Sequence, residues 1–260
     1  MLLTIDAGNT NVVFAVYDGQ TLEAKGRLST DGDRTVDEYA VWLSQFLQLK
    51  GLRLEDIGAA IISCVVPPAL FGLRRLCRDF LGCEALVVGE RGVDPGIDIR
   101  IDTPSAVGAD RIANAVGAHA RYDGALIVID FGTATTLDVV GADGAYEGGI
   151  IAPGVKLSLE ALFMAAAKLP HIAIEPPVSV IGKGTVHAMQ SGVFFGYVSM
   201  IEGLVARIKK EYGKPMKVIA TGGLSPLFDP HTPVIEHVEE DLTIDGLRLL
   251  FERNRKNRER

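Results

Sequence analysis

Apolar runs that end in polar tips recur along this chain. Leu2-Leu3-Thr4-Ile5 runs into Asp6-Ala7-Gly8-Asn9-Thr10-Asn11, and Leu126-Ile127-Val128-Ile129 runs into Asp130-Phe131-Gly132-Thr133-Ala134-Thr135-Thr136. Each run reads as a buried strand that delivers a carboxylate, a glycine and small hydrogen-bonding residues at its C-terminal end. A second apolar stretch follows each tip, Val12 to Tyr17 and Leu137 to Val140, and after it comes Asp18-Gly19 or Asp143-Gly144. Both copies therefore predict a β-hairpin with its polar tip at the first bend and an Asp-Gly turn behind it. Their self-similarity predicts two related halves.

The rest of the pattern fills in around these hairpins. Thr21 to Ser29 predicts a third strand. Val36, Tyr39, Ala40, Leu43, Phe46 and Leu47 recur at helical spacing, so Thr35 to Lys50 predicts an amphipathic helix. Ile57 to Ser63 predicts a central strand, Pro67-Pro68 opens a helix to about Leu81, and Ala85 to Val88 predicts another buried strand. Helices alternating with buried apolar strands imply a mixed sheet covered on both faces. Residues 89–103 read as a loop leading to Gly108-Ala109-Asp110-Arg111 and a helix through His119 that crosses between the halves. In the second half, Gly148 to Gly154 enters a helix containing Leu157, Leu159, Leu162 and Phe163. Residues 170–177 are irregular, and Thr185 to Lys210 predicts a long helix. The glycines around its start, Gly182, Gly184, Gly192 and Gly196, suggest tight packing or a mobile entry. Lys217 to Ala220 predicts a strand ending in Thr221-Gly222-Gly223, and a last strand (234–237) and helix (242–251) follow.

Composition narrows the function classes. A length of 260 residues suits one large domain or two of roughly 100–150 residues, with 48% hydrophobic and 23% charged residues as in ordinary soluble proteins. No stretch reads as apolar enough to span a bilayer, and no signal peptide is expected, so no membrane partner is expected. Cys64, Cys77 and Cys83 lack zinc-type spacing and read as thiols of a reducing, cytoplasmic compartment. A net charge of −7 argues against nucleic acid as a partner, and the basic tail from Arg253 reads as a solvated helix end. The five histidines, His119, His171, His187, His231 and His237, form no metal spacing and read as structural or surface groups.

Three strand-end turns carry the chemistry: Asp6 to Asn11, Asp130 to Thr136, and Thr221 to Gly223. Ligands of open α/β sheets bind beyond the strand C-termini, and two acidic turns facing each other would clamp a nucleotide triphosphate with its Mg²⁺. No Gly-x-x-x-x-Gly-Lys-Ser/Thr and no Gly-x-Gly-x-x-Gly after a strand is present, which excludes the P-loop and dinucleotide fingerprints.

Asp6-Ala-Gly-Asn-Thr10, Gly108-Ala-Asp-Arg111, Asp130-Phe-Gly-Thr-Ala-Thr-Thr136, Gly148-Gly-Ile-Ile-Ala-Pro-Gly154 and Thr221-Gly-Gly223 together resemble the type III pantothenate kinase family. That family lies within the superfamily of acetate and sugar kinases, heat-shock chaperones and actin. The resemblance implies an α/β fold of duplicated actin-like (ribonuclease H-like) halves, each a mixed sheet flanked by helices, with the active site in the cleft between them. The halves are expected at residues 1–117 and 118–260. It implies ATP-dependent phosphorylation of pantothenate, the first step of coenzyme A synthesis. It further implies Mg²⁺ with ATP, a monovalent cation (K⁺ or NH₄⁺), and a homodimer with the substrate pocket near the subunit interface.

By the same resemblance Asp110 is the base, and Gly108, Ala109, Asp110, Arg111 and Thr185 bind the substrate. Asp6, Ala7, Gly8, Asn9, Thr10, Asn11, Val12, Val13 and Thr133 bind ATP, with Asp6 on the Mg²⁺–phosphate side, and Asp130 is the monovalent-cation ligand. Phosphoryl transfer to a primary alcohol needs a carboxylate for the hydroxyl proton and cations to spread the charge, and Arg111 is a planar donor suited to a carboxylic acid. Without the resemblance, Asp110 and Arg111 would equally start a helix and pair with surface charges, and Thr185 would be a helix N-cap. Ile101 stands where relatives often carry a tyrosine that lines the pantothenate pocket. A kinase for another small acceptor and a non-catalytic transcription-accessory protein of the same fold are the alternatives.

Overall fold

The computed structural model describes residues 1–165 and 169–258, with side chains of the last helix described to Arg255. In chain order the strands and helices are β1 (Leu2–Ala7), β2 (Asn11–Asp18), β3 (Thr21–Ser29), α1 (Val36–Leu49), β4 (Ala59–Cys64), α2 (Pro67–Phe80), β5 (Leu86–Val87), α3 (Ala109–Arg121), β6 (Ala125–Phe131), β7 (Ala134–Val140), β8 (Tyr146–Pro153), α4 (Val155–Ala165), α5 (Thr185–Tyr212), β9 (Met216–Thr221), α6 (Ser225–Phe228), β10 (His237–Val238) and α7 (Leu242–Arg258). The chain separates into two compact units: Met1–Arg121 with the chain from Asp241 onward, and Tyr122–Glu240.

Each unit holds one mixed five-stranded sheet, and the two sheets share one plan. The first has the order β3-β2-β1-β4-β5 and the second β10-β9-β6-β7-β8. In each, a three-stranded antiparallel meander comes first and two parallel strands are added beside its first strand. This is the duplicated actin-like arrangement, and it puts Asp6 and Asp130 at matching ends of β1 and β6.

Local chemistry explains the elements. Thr35 and Glu38 form a capping box that opens α1: the Glu38 N–H donates to Thr35 Oγ1 at 3.3 Å and the Thr35 N–H to Glu38 Oε2 at 2.8 Å. Pro67 and Pro68 occupy the first turn of α2, where their missing N–H groups cost nothing. The β2–β3 turn falls on Gly19-Gln20, with Gly19 at φ +58°, so Asp18 ends the strand rather than entering the turn. In the first unit one sheet face packs Tyr39, Leu43 and Leu47 of α1 and Leu73 and Leu76 of α2. The other packs Ile112 and Val116 of α3 and Ile244, Leu247 and Leu250 of α7.

Two expectations change. The helix after Arg111 does not cross out of its unit. α3 lies against α7, so closely that a Cβ at Gly117 would sit 2.7 Å from the Leu242 carbonyl oxygen. Thr243 Oγ1 also donates to Asn114 Oδ1 at 2.7 Å, and Tyr17 Oη to Asp245 Oδ1 at 2.6 Å, tying α7 to α3 and β2. The second change concerns α5. Among the described residues this one helix is long and apolar enough by length and composition to cross a membrane. Its apolar side is already used: Phe194, Tyr197, Val198, Ile201 and Val205 pack with Ile127, Ile129, Val218 and Ala220 of the second sheet. A helix that covers a whole sheet must be long and rich in apolar residues, and composition alone does not separate it from a membrane span.

Candidate active site

In the first unit β1 ends at Ala7 and the chain turns through Gly8, Asn9 and Thr10 into Asn11. The Gly8 N–H donates to the Asn11 carbonyl at 3.0 Å, and the Thr30 N–H donates to the Thr10 carbonyl at 2.9 Å. Thr30 Oγ1 donates to the Gly8 carbonyl at 2.6 Å. Asn9 and Thr10 are exposed, whereas the side chains of Ala7 and Val12 are buried in the core, so these two have only their backbone to offer a ligand. Val13 packs on the opposite sheet face. Asp6 lies opposite Ser63 on the neighbouring strand β4. Burial raises the Cys64 thiol at the end of β4, and the Asp6 carboxylate raises it further, against a bond to the Val66 carbonyl. The Asp6 carboxyl thus stands close to the C-terminal end of the β1–β4 pair.

Asp110 stands in the first turn of α3, half-buried, and accepts a hydrogen bond from the Arg111 N–H at 2.8 Å. Its carboxylate folds back over Gly108, where any Cβ would collide with Asp110 Oδ1. Glycine at 108 is thus what lets Asp110 take this pose, and the Gly108 carbonyl accepts the first helical bond, from the Ile112 N–H at 3.1 Å. An acidic side chain in a first helical turn is also stabilised by the helix dipole.

In the second unit three glycine turns meet. The Gly132 N–H donates to the Ala134 carbonyl at 3.0 Å and the Gly154 N–H to the Thr133 carbonyl at 3.0 Å. A Cβ at Gly154 would sit 2.7 Å from the Gly132 oxygen and nearer still to that of Thr133. Gly222, at φ +88°, presses on the same strand end: a Cβ there would sit 2.6 Å from Asp130 Oδ1 and 2.7 Å from the Phe131 nitrogen. The register agrees, with Thr221 beside Asp130 in the parallel β6–β9 pair. The sequence motifs around Asp130, Gly154 and Gly222 are therefore one site. Behind it Tyr197 of α5 donates to the Pro153 carbonyl and contacts Ser158 Oγ at 3.0 Å, with its hydroxyl raised by burial.

Thr185 is the first residue of α5, but the N-cap is Gly184, which offers no capping side chain. The N-cap reading of Thr185 is corrected. The threonine is exposed and lines a groove of about 760 Å³ between α4 and α5, together with Ser158, Leu162, Met189, Gly192 and Tyr197. Gly192 and Gly196 have no neighbour within 4 Å of a built Cβ, so they keep this groove open rather than serving tight packing. Gly182 does pack tightly, against Ala188.

The donor chemistry suits the expected cations. Among the described residues no three His, Cys, Asp or Glu side chains converge on a metal position. Mg²⁺ in kinases is held by one or two carboxylates together with the substrate phosphates, so a single Asp6 fits. At Asp130 the carboxylate is a hard oxygen donor of the kind that K⁺ or NH₄⁺ takes, and Gly222 packs directly against its Oδ1.

The sequence profile of type III pantothenate kinases matches residues 2–207. A type III pantothenate kinase from Paramagnetospirillum magneticum is 61% identical, with the alignment covering 98% of each chain. This chain belongs to the type III pantothenate kinase family. Type III pantothenate kinases transfer a phosphoryl group from ATP to pantothenate, which opens coenzyme A synthesis. Solved structures agree on the fold. A protein described as a Baf family transcriptional activator from Campylobacter jejuni superposes with a TM-score of 0.61 at 19% identity, covering 98% of this chain and 99% of that one. One described as a 2-dehydro-3-deoxygalactonokinase from Sinorhizobium meliloti gives 0.56 at 12% identity, covering 99% and 96%.

Thr30, which the family motifs leave out, is joined to the first turn through both its N–H and its hydroxyl. Its signal in the sequence is the polar pair Ser29-Thr30, which ends a strand that must return beside the first tip.

Proposed function

We propose that Asp110 is the general base of pantothenate phosphorylation. Its carboxylate takes the proton of the primary hydroxyl as that oxygen attacks the γ-phosphorus of ATP. The bond to the β–γ bridging oxygen breaks, and ADP leaves. The observation that carries this reading is the pose of Asp110, folded back over a glycine that leaves room for nothing else, with Arg111 next to it as a partner for the pantothenate carboxylate. Gly108, Ala109 and Thr185 complete the substrate contacts.

Asp6 serves the Mg²⁺–phosphate side, the segment from Ala7 to Val13 and Thr133 contact ATP, and Asp130 holds a monovalent cation, K⁺ or NH₄⁺. Bound cations spread the negative charge on the transferred group, while the protein residues hold the reactants in line. A second copy of the chain covers the groove of α4 and α5, where Leu157, Leu162, Met164 and Val186 are exposed. The enzyme works in the cytoplasm.

The test is ADP release with ATP, Mg²⁺ and K⁺, with pantothenate, glucose or acetate supplied in turn. Asp110→Asn should lose at least about 100-fold in kcat, the lower range for one proton-transfer group, while ATP binding persists. Na⁺ in place of K⁺ should lower the rate, and light scattering should give twice the chain mass. Full turnover by Asp110→Asn overturns the assignment of the base.

A further inference from the structure

The two acidic tips are not equal in length. Ala7 faces Val12 across the first hairpin, leaving Gly8 to Asn11, four residues, in its tip. Phe131 faces Thr135 across the second, leaving Gly132 to Ala134, three residues. In both units the first residue after the third strand of the meander fastens the tip with its N–H: Thr30 to the Thr10 carbonyl at 2.9 Å, and Gly154 to the Thr133 carbonyl at 3.0 Å. Position 154 has no room for a side chain. Position 30 has one, and it makes a second bond, from Oγ1 to the Gly8 carbonyl at 2.6 Å. The longer tip thus has a side-chain fastening from a position whose counterpart at the shorter tip, Gly154, has no side chain to give.

That second bond fixes the orientation of one peptide. A trans peptide carries its carbonyl and the following N–H on opposite sides. With the Gly8 carbonyl turned to Thr30 at the end of β3, the Asn9 N–H points away from β3. In the strand order β3-β2-β1-β4 this is the side of β1, the strand that carries Asp6. Asn9 is exposed, and among the described residues its N–H donates to no backbone carbonyl. Backbone N–H groups aimed in advance at a phosphate bind it without a reorganisation cost.

We infer that Thr30 is a positioning residue for ATP: its hydroxyl holds the Gly8–Asn9 peptide so that the Asn9 N–H faces the nucleotide phosphates. This rests on the proposed assignment of the Gly8–Asn11 tip to ATP. Thr30 touches neither reactant and acts through the peptide it orients.

The experiment compares wild type, Thr30→Val, Thr30→Ser and Asp6→Asn in steady-state kinetics, varying ATP and pantothenate separately, with thermal midpoints measured without nucleotide. Valine keeps the branched shape and the backbone bond to Thr10 and removes only the hydroxyl. Thr30→Val should raise the KM for ATP about 3- to 10-fold, the worth of one hydrogen bond, with the KM for pantothenate unchanged and the thermal midpoint lowered by only about 2–4 °C. Thr30→Ser should return the ATP value to within about twofold of wild type, because the hydroxyl is restored. If valine lowers the midpoint by much more than that, the fault is its packing, and Thr30→Ala replaces it in the same comparison. A wild-type KM for ATP in the hydroxyl-less variant while Asp6→Asn raises that KM overturns the role of Thr30 alone. Parallel rises in both KM values, not rescued by serine, overturn it in favour of a structural role. An unchanged ATP response in Asp6→Asn removes the tip from the ATP site and the inference with it.

Discussion

Gly222 and Gly223 are neighbours in one turn, yet the structure predicts opposite outcomes for alanine at the two positions. At 222 a Cβ would stand 2.6 Å from Asp130 Oδ1 and 2.7 Å from the Phe131 nitrogen, and the backbone sits at φ +88°. A carbon settles about 3.3 Å or more from an oxygen, so Asp130 or the β9 turn must yield by over half an ångström. Overpacking of this kind costs about 1–3 kcal/mol, and a left-handed backbone costs an L-residue roughly 1–2 kcal/mol more. Together these lower the thermal midpoint of Gly222→Ala by roughly 5–15 °C. The displaced group is the proposed cation ligand, so the K⁺ concentration for half-maximal rate should rise along with a fall in kcat. A misplacement approaching 1 Å near the chemistry costs up to about 100-fold. At 223 a built Cβ meets nothing within 4 Å and φ is not positive, so Gly223→Ala should stay within about 0.5 kcal/mol of wild type. The assay is differential scanning calorimetry of both variants, followed by ADP release over a K⁺ titration. Equal midpoints for the two variants, or a Gly222→Ala protein with a wild-type midpoint, would refute the contact argument.

Two further predictions come from the first unit. Gly246 of α7 lies against the Ala113 carbonyl of α3, so Gly246→Ala should push the helices apart, cost about 1–3 kcal/mol by urea midpoint and lower kcat, since α3 carries Asp110. A variant with wild-type urea midpoint would show that the α3–α7 contact is looser than described. Burial pushes the fully buried Cys77 thiol from 9.0 up to about 12, and burial with the Asp245 hydrogen bond raises the Tyr17 hydroxyl as well. Both are raised above their unfolded values, so the unfolded chain loses these protons first. Their contribution to stability is intact below about pH 9 and lost above it, with Cys77 alone removing about 1.4 kcal/mol per pH unit up to pH 12. Urea midpoints that hold constant from pH 8 to pH 11 would contradict this.

Much of the fold is present in local sequence. Capping by Thr35, the Pro67-Pro68 start and the apolar runs at β1, β4, β6 and β9 place those elements because each signal acts over a few neighbouring residues. The duplication is equally legible, since Asp6-x-Gly8 and Asp130-x-Gly132 sit on strands of the same pattern. The family, and with it the reaction class, is legible through those motifs together with Gly108 to Arg111. Tertiary structure decides what depends on residues distant in sequence. That α7 closes the first unit against α3, over 100 positions earlier, follows from Gly117 and Gly246 letting two backbones approach, and one glycine in a helix does not reveal its partner. That α5 covers a sheet follows from what lies beside it, because hydropathy is blind to neighbours. Thr185 lines a groove instead of capping its helix because Gly184 takes the cap. The clamp of Thr30 on Gly8 exists only because β3 returns beside the tip of β1, a contact made by sheet register and not by any local preference.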